Sequence, residues 1–149
     1  MNIEDHRSRT FLCNDEGKYL FMLRIRQNGD RAILLPGGGV DEGETIEDAN
    51  MRELHEELGI TIHNAKEIYT FFDLRANPAL RPGDEGYGIR VPTYFHFFTA
   101  EWSGDMKICE TDKFESLHWI YLRDLHALAD SLGARISDGV ITAIRFLPR

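Results

Sequence analysis

Three glutamates, Glu53, Glu56 and Glu57, fall within five residues of one another in a stretch patterned as a helix. At helical pitch they fan across about 100° of one face, with the small Ala49 in the same sector. Met51, Leu54 and Leu58 form the adjacent apolar stripe. Such a helix would bury one side and present clustered carboxylates on the next. Carboxylates 4 Å apart repel by about 1–4 kcal/mol per pair at effective dielectrics of 80 to 20. A positive partner is therefore expected among them. Arg52, at i,i+4 to Glu56, offsets one charge. Hard divalent cations such as Mg²⁺ take carboxylate oxygens and keep room for waters and phosphates. A bare Glu-x-x-Glu-Glu also fits a solvated acidic face, so the surrounding spacing has to decide between the two.

The charge distribution points the same way. The 149 residues carry 17 basic and 25 acidic side chains, a net charge of −8. Between Gly38 and Ile60 there are eight carboxylates and a single base, Arg52, and the remainder is nearly neutral. This balance excludes a protein that coats nucleic acid or anionic membrane through bulk attraction.

The full pattern is Gly38, five residues, Glu44, seven residues, then Arg52-Glu53-Leu54-His55-Glu56-Glu57-Leu58-Gly59-Ile60. Nine specified positions match at once, a chance event on the order of 10⁻⁹ per starting point. The pattern is identified as a Nudix box. Leu35-Pro36-Gly37-Gly38-Gly39 resembles that family's lead-in, and Gly43-Glu44-Thr45 its helix entry. Glu115-Ser-Leu-His-Trp119 followed by Leu122-Arg-Asp-Leu125 resembles its late strand and short helix, so a looser likeness runs from about residue 7 to 147.

The resemblance implies an α/β fold, an α/β/α sandwich around a mixed β-sheet. It implies Mg²⁺- or Mn²⁺-dependent hydrolysis of a nucleoside diphosphate linked to another group, by attack of a metal-activated water on phosphorus. It implies that Glu53, Glu56, Glu57 and the backbone carbonyl of Gly38 are metal ligands, with Glu53 either ligand or general base. It further implies that Arg52 orients a glutamate and that Glu44 either binds a second metal or buttresses the helix. One more carboxylate outside the box is expected. Glu115 leads by its spacing to Trp119, ahead of Glu110, Glu101 and Asp112. A nucleoside triphosphate or related nucleotide is the first substrate expectation, because the marks of other subclasses are missing. ADP-ribose, nucleotide sugars and dinucleoside polyphosphates stay open, as does a non-catalytic nucleotide sensor on the same scaffold. Diphosphate isomerisation is the third reading, but neither Cys13 nor Cys109 sits in a recognisable catalytic site.

For the substrate, Gly37 and Gly38 allow close approach of backbone to ligand. Arg24 and Arg75, on strands flanking the box, are candidate phosphate contacts. The rings of Phe71, Phe72, Tyr94, Phe95, Phe97 and Phe98 read as core, while Tyr87, in a glycine-rich loop, is the exception that stacking on a base would use. His55 falls beyond the carboxylate fan and reads as packing or surface.

The elements that must position these groups follow from periodicity and breakers. Strands are expected at 18–25, 31–35, 62–66, 70–75, 90–102 and 114–119. Helices are expected at 45–58, with Thr45 as N-cap and Gly59 at C′, and at 121–132 and 137–147. Residues 76–88, with Pro78 and Pro82, read as a mobile loop. The expectation is one Nudix domain over 1–149, cytoplasmic, with two reduced thiols. No apolar segment is long enough to span a bilayer. No nucleic-acid polymer is expected as a partner. A homodimer is open, since relatives often pair and nothing here marks an interface.

Overall fold

The computed structural model describes residues 4–77 and 80–148. Its seven strands are β1 (Asp5–Phe11), β2 (Tyr19–Ile25), β3 (Arg31–Leu34), β4 (Thr61–Arg75), β5 (Val91–Ser103), β6 (Phe114–Ile120) and β7 (Arg135–Ile136). Its helices are α1 (Ile46–Leu58), α2 (Leu125–Leu132) and α3 (Val140–Ile144), and a 3₁₀ turn, Leu122–Asp124, precedes α2. The strands form two mixed sheets, ordered β1-β5-β4 and β6-β2-β3-β7. In the first, β1 runs parallel to β5 and β4 antiparallel to it. In the second, only the β3–β7 pair is parallel.

Alternation along β2 and β3 builds the sandwich. Leu20, Met22, Ala32 and Leu34 point to one face and pack with Leu54 and Leu58 of α1. Phe21, Ile33 and Leu35 point to the other, where they meet Leu125 and Ala129 of α2 and Val140 and Ala143 of α3. Successive strand residues face opposite sides, so one short sheet fills two apolar layers. Phe11 of β1 and Phe95 and Phe97 of β5 join the second layer. The expected α/β/α arrangement is therefore present, with its strands divided between two sheets.

Local signals operate as expected at several ends. Thr45 caps α1, its hydroxyl accepting from the Asp48 N–H at 3.1 Å. Gly59 closes the helix with φ +70°, a conformation that a side chain would strain. Four expectations need correction. The strands at 62–66 and 70–75 are one strand, β4, bent by register shifts at His63/Lys66 and Glu67/Tyr69, with Asn64 at φ +51°. The helix at 137–147 shrinks to α3, because Ser137 N–H donates to the Ile33 carbonyl of β3 at 2.8 Å and Gly139, at φ +78°, lies against the Phe71 ring. Met51 is exposed, since it falls at the rim of the buried stripe. β1 forms where no strand was expected. Of the expected loop, Pro78 lies outside the described residues, and residues 80–89 form consecutive turns tied to Gln27 by Arg81. Among the described residues no helix is long and apolar enough to cross a membrane.

Leu54 is fully buried between α1 and the sheet. Leu54→Ala should cost about 2–5 kcal/mol of unfolding free energy, read from urea titration.

Candidate active site

The buried residues of α1 are Ala49, Asn50, Leu54, Glu57 and Leu58. With Glu53 at 0°, they span about 320° round to 140°, which puts Glu57, at about 40°, well inside the buried sector. Glu57 is thus packed rather than displayed, with 3% of its surface exposed. Its Oε1 accepts a hydrogen bond from the Gly37 N–H at 2.8 Å. Burial pushes its carboxyl up to about 8, while that N–H and the nearby Arg9 guanidinium pull in the opposite direction.

Gly37 reaches this position because residues 36–40 run alongside β1. The Ser8 N–H donates to the Gly38 carbonyl at 2.8 Å, Thr10 N–H to the Pro36 carbonyl at 3.0 Å and Val40 N–H to the His6 carbonyl at 3.1 Å. A Cβ on Gly37 would collide with the Ser8 carbonyl, and one on Gly38 with the Glu53 carboxyl. These two glycines let the chain pass between β1 and the carboxylates. The Gly38 carbonyl keeps one lone pair beyond its bond to Ser8.

The third carboxylate comes from outside the helix. Oxygens of Glu53, Glu57 and Glu110 lie within 4.8 Å of one another. Glu110 is carried by a segment bonded to the end of α1, where Cys109 N–H donates to the Glu57 carbonyl at 2.9 Å and Lys107 N–H to the Leu58 carbonyl at 3.1 Å. The last carbonyls of a helix lack partners within it, and this segment supplies them. Lys113 holds Glu110 Oε2 at 3.1 Å, and Oε1 is buried without a hydrogen-bond partner. Burial, reinforced by the Glu56 charge, raises the Glu53 carboxyl above its usual range against the pull of Arg52. Three hard oxygen donors, one with an unused buried atom, fit a divalent cation of the Mg²⁺ or Mn²⁺ class.

Arg52 is the counter-ion beside this group. Its Nε and Nη2 donate to the two oxygens of Glu44 at 2.8 and 3.0 Å, and Nη2 also donates to the Gly39 carbonyl at 3.0 Å. Its Nη1 donates to Glu53 and Glu56, both at 3.2 Å. This network, Glu44 foremost, stabilises the charged guanidinium and raises its pKa, while Arg52 in turn holds the Glu44 carboxyl below its usual range. Glu44 therefore stands as a buttress, receiving the Asp41 N–H at 2.8 Å as well. Glu56 is turned to Arg52 and half exposed, apart from the three-carboxylate group.

Beyond the carboxylates the cleft is basic. A cavity of about 410 Å³ is lined by Glu53, Glu57, Gly37 and Gly38 together with Arg24 and Arg75, and also by Arg7, Arg9, Arg26, Arg135 and Lys113. Sequence reasoning missed Arg7, Arg9, Arg135 and Lys113. The Arg7-Ser8-Arg9-Thr10 alternation, which puts both arginines on one face of a strand, was the available signal. Glu115 is exposed, because its neighbour Phe114 takes the buried side of β6. Glu110, and not Glu115, therefore joins the carboxylates. Glu101 and Asp112 are also exposed, and Asn64 donates to Glu101 at 2.7 Å. Tyr87 is 52% exposed and lies outside the cavity lining.

The NUDIX domain family model matches residues 7–139. The chain belongs to the Nudix family. Its fold is similar to that of a MutT Nudix hydrolase from Burkholderia pseudomallei, with a TM-score of 0.73 and 25% identity over 97% of this chain and 98% of that one. It is 33% identical to the 8-oxo-dGTP diphosphatase of Haemophilus influenzae over 93 residues, 62% of this chain and 60% of that protein. It is 41% identical to an RNA pyrophosphohydrolase of Vibrio atlanticus over 59 residues, 40% of this chain and 33% of that protein. The Nudix chain thus spans 60% and 33% of the length of these two curated relatives.

A cation held by Glu57 would take it as carboxylate, while burial without metal favours the protonated acid. Mn²⁺ affinity should therefore rise from pH 6 to pH 8 with release of protons, measured calorimetrically in buffers of differing ionisation enthalpy. In the metal-free protein the folded carboxyl binds its proton more tightly than the unfolded one. Thermal stability should then fall as pH rises from about 4.5 to about 8, and Glu57→Gln should reduce that fall, leaving the part due to Glu53.

Proposed function

We propose that this Nudix chain is a metal-dependent pyrophosphohydrolase, cleaving a phosphoanhydride bond in a nucleoside diphosphate linked to a further group, a nucleoside triphosphate or related nucleotide first. The observation that carries this reading is the meeting of Glu53, Glu57 and Glu110 at one end of an arginine-lined cleft. Those three residues would hold the cation. When bound, a divalent cation there supplies charge to phosphate oxygens and lowers the pKa of a water. Arg9, Arg24 and Arg75 orient the phosphate chain and take up its charge. Glu110, whose Oε1 is unpartnered, would give that oxygen to the cation. Arg52 keeps Glu53 in place by holding it and Glu44 together. The products are a nucleoside monophosphate and the phosphorylated remainder.

The relative named for 8-oxo-dGTP favours a nucleoside triphosphate. The relatives named as RNA pyrophosphohydrolases supply the second reading, an RNA pyrophosphate, which softens the exclusion of nucleic-acid partners. The free, exposed Cys13 and Cys109 fit the reducing setting of the cytoplasm, where we place the protein.

Incubation with Mg²⁺ and a nucleotide panel should release nucleoside monophosphates. Glu57→Gln should lose at least about 10²-fold in turnover and weaken Mn²⁺ binding. Arg52→Lys should lose about 10–100-fold, because an ammonium cannot reproduce the two-pronged grip on Glu44. Unchanged turnover and metal affinity in Glu57→Gln would refute the ligand assignment. Binding without turnover of any nucleotide by the wild type would instead favour the sensor.

A further inference from the structure

The cleft does not end at the carboxylates. A second cavity of about 580 Å³ shares Arg7, Arg9, Arg24, Arg26 and Arg75 with the first and continues to Asn77 and Thr93. Its five arginines face two carboxylates, Glu4 and Asp5. Asp5 is taken by Arg7 Nε at 2.7 Å, and Glu4 lies 3.3 Å from His6 Nε2. Arg26 and Arg135 share Asp30, at 3.6 and 3.2 Å.

Among the described residues, no carboxylate lies within ion-pair distance of Arg9, Arg24 or Arg75. Arg9 Nε is buried without an acceptor, while Arg9 Nη1 donates to the Ser8 carbonyl at 2.8 Å. The Arg9 and Arg75 guanidinium carbons stand 5.5 and 5.1 Å from the centre of the Phe95 ring. Burial and the neighbouring Arg7 push Arg9 down to about 10, so it is still charged at neutral pH. Buried N–H groups without acceptors cost free energy, and so do like charges at close range. An anion relieves both.

The same walls offer little to a nucleobase. Among the described residues no ring lines the second cavity, and Phe114, the ring that lines the first, is 3% exposed. Phe72 and Tyr87, whose rings are open, lie outside both linings. We propose that the arginine end is a phosphate-counting subsite. The substrate carries at least one phosphate group beyond the diphosphate held at the carboxylates, and the protein selects by phosphate number more than by base. This rests on the pyrophosphohydrolase reading for which bond is cleaved, but not for the binding itself.

The test is calorimetry without metal on adenosine 5′-di-, tri- and tetraphosphate and on the four common nucleoside triphosphates. Affinity should rise about tenfold per added phosphate, while the four bases should differ by less than about threefold. In Arg24→Ala/Arg75→Ala the gain per phosphate should fall below about threefold, with Mn²⁺ binding retained as proof that the carboxylate end is still folded. Equal affinity for the three adenosine phosphates, a base spread larger than the phosphate spread, or a gain that survives the double substitution would overturn the proposal. Adding Mg²⁺ separates the two readings. Graded binding without hydrolysis defeats the hydrolase and leaves the subsite standing. Hydrolysis with no dependence on phosphate number defeats the subsite and leaves the hydrolase.

Discussion

The structure is organised around holding like charges together. Glu53, Glu57 and Glu110 bring oxygens within 4.8 Å of one another in a partly dehydrated pocket. Without compensation that arrangement is unfavourable, because burial and mutual repulsion both penalise the charged forms. Compensation comes from three directions. Arg52 supports Glu53 from the solvent side, the Gly37 N–H donates to Glu57 from beneath, and Lys113 holds Glu110. A few paces along the cleft the problem recurs with opposite sign, where arginines crowd around Phe95. Two clusters of opposite charge in one groove accept a cation and a polyanion together better than either alone.

This constraint explains features of the backbone that appear unrelated to chemistry. The Gly37–Gly38 passage can lie against β1 only without side chains, and that closeness brings an amide N–H to Glu57. The same contact makes β1 the strand that delivers Arg7 and Arg9 to the cleft. β1 also ties itself to α1 through the Thr10 hydroxyl, which donates to the buried Asn50 Oδ1 at 2.6 Å. One strand thus fixes the glycine segment, the helix and two of the arginines.

The sequence was legible where local rules act. Thr45 and Gly59 bounded α1 because cap geometry depends on a few neighbouring residues. The alternation in β2 and β3 gave two-faced strands because its period is intrinsic to the backbone. Legibility failed where tertiary pairing intervened. β1 has polar residues at most positions and became a strand only by pairing with β5. Ser137, expected at the start of a helix, bonds instead to Ile33 of β3. Glu57 was readable as part of a carboxylate cluster but not as buried, because a stripe drawn through apolar residues alone misplaces the centre of the packed face. Leu54, Leu58 and the polar Asn50 together set that centre.

Glu110 shows why a site residue can escape spacing rules altogether. Glu115 had the better position relative to Trp119, yet strand alternation turns it outward. Glu110 is placed by main-chain bonds from Lys107 and Cys109 to the terminal carbonyls of α1, the helix that also bears Glu53 and Glu57. Those carbonyls need partners whatever side chain residue 110 carries. The loop is therefore fixed by a requirement of helix ends, and the carboxylate rides on it. Changing that side chain removes an oxygen from the cluster without removing the bonds that hold the backbone, so its chemistry can be separated from its architecture.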